Sequence, residues 1–104
     1  MRALLLAASL AWLPAVARAA EIAVAIRDYA FVPAKVAIQP GDTVVWTNHD
    51  QVPHTITALG GAFASGAIAP GASFRYHFVT PGGYAYRCSL HPEMQATVVV
   101  SAPR

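Results

Sequence analysis

Short runs in which apolar residues alternate with small or polar ones dominate this chain after residue 20. The alternation is clearest at residues 22–26 and 74–78, and a period of two is typical of a β-strand with one buried face. Turn signals such as Pro40-Gly41 and Pro81-Gly82 separate the runs. We therefore predict an all-β, single-domain sandwich or barrel of about seven to eight strands.

Further strands are predicted around Val36 and Ile38, over residues 43–47, from Ile56, over residues 84–88 and over residues 98–100. Residues 59–72 are rich in glycine and small side chains. This segment is either a long loop or contains one more irregular edge strand, and the sequence leaves both open.

The first 19 residues have the order of a secretory signal peptide. Arg2 precedes an uncharged apolar stretch, and Ala17-Arg18-Ala19 offers small residues for signal peptidase. The uncharged run is shorter than the roughly 20 residues that span a bilayer. We expect cleavage after residue 19, a mature domain over residues 20–104 and an exported, for instance periplasmic, protein with no membrane span.

Charge and cysteine content narrow the functional classes. The chain has seven basic and five acidic residues, and loss of Arg2 and Arg18 with the signal leaves five of each. A neutral mature domain gives no support for nucleic-acid binding. The single cysteine excludes an internal disulfide framework and any all-cysteine zinc or iron–sulfur site.

Metal-binding side chains concentrate at the end of a predicted strand. Cys88, His91 and Met94 follow one another at three-residue intervals. One more imidazole would complete the two-histidine, one-cysteine set with a weak axial methionine that is typical of blue copper. His54, in a tight loop between two predicted strands, is the candidate.

From Ile26 onward the sequence resembles the cupredoxins, and within them the amicyanin/plastocyanin-like group of small type I copper proteins. The residues that carry this resemblance are 31–36 (FVPAKV), 40–48 (PGDTVVWTN), 53–55 (PHT) and 83–88 (GYAYRC) together with the loop to Met94. The resemblance implies a Greek-key sandwich with one copper ion that cycles between Cu²⁺ and Cu⁺. It also implies that His54, Cys88 and His91 are equatorial ligands, that Met94 is the axial ligand, and that Tyr86 is a core tyrosine near a strand corner.

Thr55 departs from the family pattern, since many cupredoxins have asparagine directly after the upstream histidine. A threonine hydroxyl can bond near Ser89, but less extensively than an amide. The rigidity and potential of the site therefore depend on Thr55.

Other interpretations of the same residues stay open. Cys88 alone would be a buried hydrophobe or an intermolecular disulfide donor, and Met94 alone would be core filler. Zinc accepts cysteine and histidine, although thioether is a poor zinc ligand. We expect His49 to be an exposed loop residue and His77 to point to solvent, neither of them a ligand, and the scattered acids give no support for an enzyme.

The sequence thus predicts an exported one-electron carrier whose redox partner is a dehydrogenase, a cytochrome or an oxidase. By resemblance, His91 is the electron port, and Val52, Pro53, Leu90 and Pro92 surround it as an apolar docking patch. We expect a monomer. The alternatives are a periplasmic protein that stores or delivers copper through the same ligands, and a metal-free immunoglobulin-like binding module.

Overall fold

A computed structural model describes residues 19–102 of the chain. The predicted signal peptide lies, except for its last residue, outside this range, and so does the end of the chain after residue 102. Within the described range there are eight strands and no helix. The strands are β1 (Glu21–Arg27), β2 (Ala30–Val32), β3 (Lys35–Ile38), β4 (Thr43–Asn48), β5 (Thr57–Ala58), β6 (Ser73–His77), β7 (Gly82–Arg87) and β8 (Gln95–Val100).

The strands form two four-stranded sheets, ordered β2-β1-β4-β6 and β3-β8-β7-β5. The β1–β4 and β3–β8 pairs are parallel and the other pairs are antiparallel. The predicted all-β sandwich is confirmed. Between residues 19 and 102, no helix is long and apolar enough to cross a membrane.

The alternating residues meet in a core between the sheets. Val24, Ile26, Val44 and Trp46 are buried from one sheet, and Tyr86 and Val98 are among the residues buried from the other. Trp46 Nε1 donates a hydrogen bond of 3.0 Å to the Tyr86 hydroxyl. Burial raises the pKa of Tyr86 to about 12, although the bond from Trp46 acts in the opposite direction.

Several strand bounds differ from the expectation. β7 spans Gly82–Arg87 rather than residues 84–88, because Gly82 and Gly83 pair with Val100 and Val99. No pattern in the sequence indicates β2, because three residues between a turn and Pro33 are too short for a periodic pattern. β8 begins at Gln95, three residues before the predicted start at Val98, because its first half pairs with β7 without a strongly apolar sequence.

Residues 59–72 form a loop held by isolated bridges rather than a regular edge strand. Bridges join Thr57 to Ala64 and His54 to Ile68. Phe63 and Ile68 are both buried, and the Phe63 ring packs against Trp46 at a centroid distance of 6.0 Å. The loop is therefore part of the core, and its Ile68 end lies against the backbone of His54.

Candidate metal centre

After β7 the chain folds back on itself through backbone hydrogen bonds between residues three apart. The His91 N–H donates to the Cys88 carbonyl at 3.2 Å, and the Met94 N–H donates to the His91 carbonyl at 2.9 Å. The Cys88 N–H closes the loop on the Met94 carbonyl at 3.1 Å. Since Arg87 and Gln95 are paired across β7 and β8, the ends of the loop are fixed by the sheet.

His54 reaches the same place from the loop that follows β4. Its backbone N–H and carbonyl both bond to Ile68, at 3.2 and 2.7 Å, and its side chain is fully buried. Cys88 Sγ lies 3.6 Å from Nδ1 of His54 and 3.7 Å from Nδ1 of His91. The candidate ligand atoms of these three residues all lie within 4.8 Å of one another. Met94, in the same loop as Cys88 and His91, is buried.

These separations fit a single metal ion. Bonds of about 2.3 Å to a thiolate and about 2.0 Å to an imidazole, at angles between tetrahedral and trigonal, place sulfur and nitrogen ~3.5–3.7 Å apart. Cys88 is fully buried, and a soft thiolate with two imidazoles suits copper in both oxidation states. The residues present therefore fit a copper ion.

Asp50 sets the tautomer of His54. Its Oδ2 lies 2.8 Å from His54 Nε2, and because a carboxylate only accepts, Nε2 carries the proton and Nδ1 is left free for a metal. Burial acts to raise the pKa of Asp50, but hydrogen bonds from the Tyr29 N–H, His54 and the Asp28 N–H outweigh it and lower the pKa below its usual value.

Thr55 joins the two ligand loops. Its N–H points at Cys88 Sγ at 3.3 Å, and its Oγ1 accepts from the Ser89 N–H at 2.8 Å. The same hydroxyl lies 3.1 Å from Ser89 Oγ and 2.9 Å from Thr57 Oγ1. The expected contact with Ser89 is present, and the threonine makes more bonds across the loops than the sequence indicated.

Sequence reasoning missed the polar residues that hold the upstream loop. Asn48 is fully buried, its Nδ2 donates to the carbonyls of Val52 and Ile68 at 2.8 and 2.9 Å, and its Oδ1 accepts from the Asp50 N–H at 2.9 Å. In the sequence, Asp50 is only one of five scattered acidic residues. An amide and a carboxylate just before a candidate ligand histidine are the signal that would have found them.

The remaining predicted residues take the following places. His49 and His77 are exposed and lie outside the ligand cluster, as expected. Pro53, Leu90 and Pro92 are exposed, Leu90 by 54%, whereas Val52 is half-buried. His91 is half-buried, so of the three clustered ligands it is the one that reaches the surface.

Comparison with known proteins identifies the family of this chain. The profile of the cupredoxin-like domain matches residues 1–100. Amicyanin from Paracoccus denitrificans is 31% identical over 68 residues, 61% of this chain and 52% of the relative. Chloroplastic plastocyanin from Tetradesmus obliquus is 38% identical over 72 residues, 59% of this chain and 50% of the relative. The chain thus spans about half the length of these curated relatives.

A solved structure shows the same arrangement of strands. A methionine-to-alanine variant of amicyanin in its Cu(I) form superposes with a TM-score of 0.72 at 28% identity, which covers 77% of this chain and 81% of that one.

Proposed function

The chain belongs to the cupredoxin-like family, with one copper ion as cofactor, and from this premise we propose that it carries single electrons between redox partners. The observation that carries the proposal is the buried Cys88 Sγ, 3.6 and 3.7 Å from two imidazole nitrogens. We propose that His54, Cys88, His91 and Met94 would hold the copper ion, the thiolate and the two imidazoles as strong donors and the thioether as a weaker one.

The residues around the site are suited to hold one geometry in both oxidation states. Copper supplies a one-electron couple between Cu²⁺ and Cu⁺ when bound. The Thr55 N–H stabilises the negative charge of the Cys88 thiolate, and Asp50 keeps His54 in the tautomer that binds metal. Because these contacts come from strand ends and buried loops, little rearrangement accompanies electron transfer.

His91 is our proposed electron port. It is half-buried, while His54 and Cys88 are fully buried. The exposed Pro53, Leu90 and Pro92 supply apolar surface for a brief encounter with a dehydrogenase, a cytochrome or an oxidase. A formally neutral mature domain is compatible with docking through apolar contacts.

Export and assembly complete the proposal. We propose that residues 1–19 are removed as a signal peptide, that the mature domain works outside the cytoplasm as a monomer, and that it is not itself an enzyme. Support comes from the Arg2, apolar and Ala17-Arg18-Ala19 order of the N-terminus.

Reconstitution with copper tests the function. The mature protein titrated with Cu²⁺ should bind one equivalent, develop an intense visible band from the copper–thiolate bond and show reversible one-electron voltammetry. Cys88→Ala is the critical variant and His77→Ala, at an exposed position, its control. A colourless complex, or a band that survives in Cys88→Ala, would contradict the proposal.

A second measurement distinguishes an electron carrier from a protein that stores or delivers copper. The loaded protein is mixed either with a reduced cytochrome or with a copper-free acceptor protein. Fast electron exchange without metal loss supports the carrier. Copper transfer in place of electron exchange would favour the copper-handling alternative, which uses the same ligands.

A further inference from the structure

The turn between β1 and β2 has an unusual sequence for its conformation. Asp28 and Tyr29 have φ of 53° and 58°, and they join the paired residues Arg27 and Ala30 as a two-residue hairpin loop. Such loops favour asparagine and glycine, because positive φ is unfavourable for a residue with a bulky side chain. A tyrosine here indicates that other contacts stabilise the turn.

Asp50 supplies those contacts and connects the turn to the metal centre. Its Oδ1 accepts from the Asp28 N–H at 2.7 Å, and its Oδ2 accepts from the Tyr29 N–H at 3.0 Å. The same Oδ2 accepts from His54 Nε2 at 2.8 Å. The Asp50 side chain is only 12% exposed, so one mostly buried carboxylate holds both the hairpin loop and a ligand histidine.

The Tyr29 ring lies against both ligand imidazoles. Its centroid is 4.8 Å from that of His91 and 5.2 Å from that of His54, with interplanar angles of 84° and 88°. These are favourable edge-to-face arrangements. Tyr29 is 49% exposed, so its ring lies between the two histidines and solvent.

We propose that Tyr29 is a positioning residue of the metal centre: its ring covers the two imidazoles, restricts rotation of His91 and limits access of solvent and small anions to the metal. Asp50 holds Tyr29 in this place. The inference rests on the proposed copper site and deepens it. Neither residue belongs to the ligand set, and both act from outside the loop that carries Cys88, His91 and Met94.

Tyr29 can restrict the His91 ring because few other contacts hold His91 in place. Its backbone bonds only within the ligand loop, to Cys88 and Met94, and its ring faces Cys88, His54 and Tyr29. Without the Tyr29 ring, the solvent side of the half-buried imidazole loses its aromatic contact. His91 could then rotate and open the metal to exchange.

Tyr29→Asn is the decisive variant, because asparagine tolerates positive φ and so removes the ring while keeping the turn. We expect the copper(II) protein to lose its visible band to EDTA about 10-fold faster, within the range of outer-sphere substitutions at metal sites. Added azide should shift the band of this variant and leave that of the wild type unchanged. Tyr29→Phe should behave as the wild type. Val79→Ala, at a 62% exposed residue beyond the far end of β6, is the control.

The connection to Asp50 is tested by a double-mutant cycle. Asp50→Asn should also accelerate copper loss, and it should add less in the Tyr29→Asn background than alone. Fully additive effects would show that Asp50 acts on His54 only and would overturn its part in holding Tyr29.

Two outcomes separate this inference from the proposed function. A wild-type protein with no visible band contradicts the function itself. A wild-type band together with a Tyr29→Asn variant that resists EDTA and azide as the wild type does would overturn the covering role of Tyr29 and leave the function intact.

Discussion

The two histidines of the proposed metal centre lie in contrasting surroundings. His54 is fully buried, its backbone is bonded on both sides to Ile68, and its ring is bonded to Asp50. His91 is half-buried in a seven-residue loop, with its backbone bonds made within that loop. We call these the closed side and the open side of the site.

The contrast shows how a small domain can combine rigidity with access. On the closed side, the loop that carries His54 is tied to distant parts of the chain, since Asn48, the last residue of β4, donates to the Val52 carbonyl and to the Ile68 carbonyl in the loop before β6. On the open side, a ligand is held by local turns between two paired strands. The proposed electron transfer needs the first for constant geometry and the second for contact with a partner.

The largest expected effect comes from removing each histidine in turn. His54→Gly and His91→Gly should both weaken copper binding by more than the roughly 10–100-fold that an outer-sphere substitution costs. Added imidazole should restore the visible band only in His91→Gly, because the space left by His91 opens to solvent and that left by His54 is enclosed. A spectrophotometric imidazole titration measures this.

His77→Gly serves as the control, since His77 is exposed on β6 outside the ligand cluster. Equal rescue of both ligand variants by imidazole would remove the distinction between the closed and the open side.

A smaller effect concerns the buried aromatic core at the end of β7, the strand that leads into the open side. Tyr86, two residues before Cys88, is buried with a pKa of about 12, and its neutral form is the one that the fold favours. Because the unfolded chain ionises first above pH 10, the wild type should lose stability as pH rises from 10 to 12, by about 3 kcal/mol in total.

Tyr86→Phe removes this dependence, and urea denaturation of both proteins between pH 9 and 12 measures the difference. At neutral pH the variant should be less stable by about 1–3 kcal/mol, since Trp46 Nε1 loses its partner. Parallel alkaline profiles for the two proteins would show that Tyr86 ionises as freely in the fold as in the unfolded chain.

The sequence predicted the open side better than the closed side. Cys88, His91 and Met94 lie close together in the chain, and alternation identified β7, the strand that leads to them. The contacts of Asp50 with Tyr29 and of Asn48 with Ile68 join residues about 20 positions apart. Spacing carries no information on such bonds, because they depend on how β1, β4 and the 59–72 loop pack together.

Met94 is a buried residue on the open side, although the loop that carries it reaches the surface. Met94→Leu should retain copper and raise the reduction potential by on the order of 60 mV, because a thioether stabilises Cu²⁺ more than an alkyl group does. Cyclic voltammetry of the two copper proteins measures the shift. An unchanged potential would show that the sulfur is not coordinated.

The smallest expected effect concerns the hydrogen bond from the Ser89 N–H to Thr55, which joins the open side to the closed side. Thr55→Val keeps the shape of the side chain and removes the acceptor for the Ser89 N–H, so the free energy of unfolding should fall by about 1 kcal/mol. Thr47→Val, which removes an exposed hydroxyl pair with Ser73, is the matched control and should cost less. Because the Thr55 N–H to Cys88 Sγ is a backbone contact, the visible band should persist in Thr55→Val. A lost or strongly shifted band would mean that the threonine hydroxyl, rather than the strand ends, holds the two ligand loops in register.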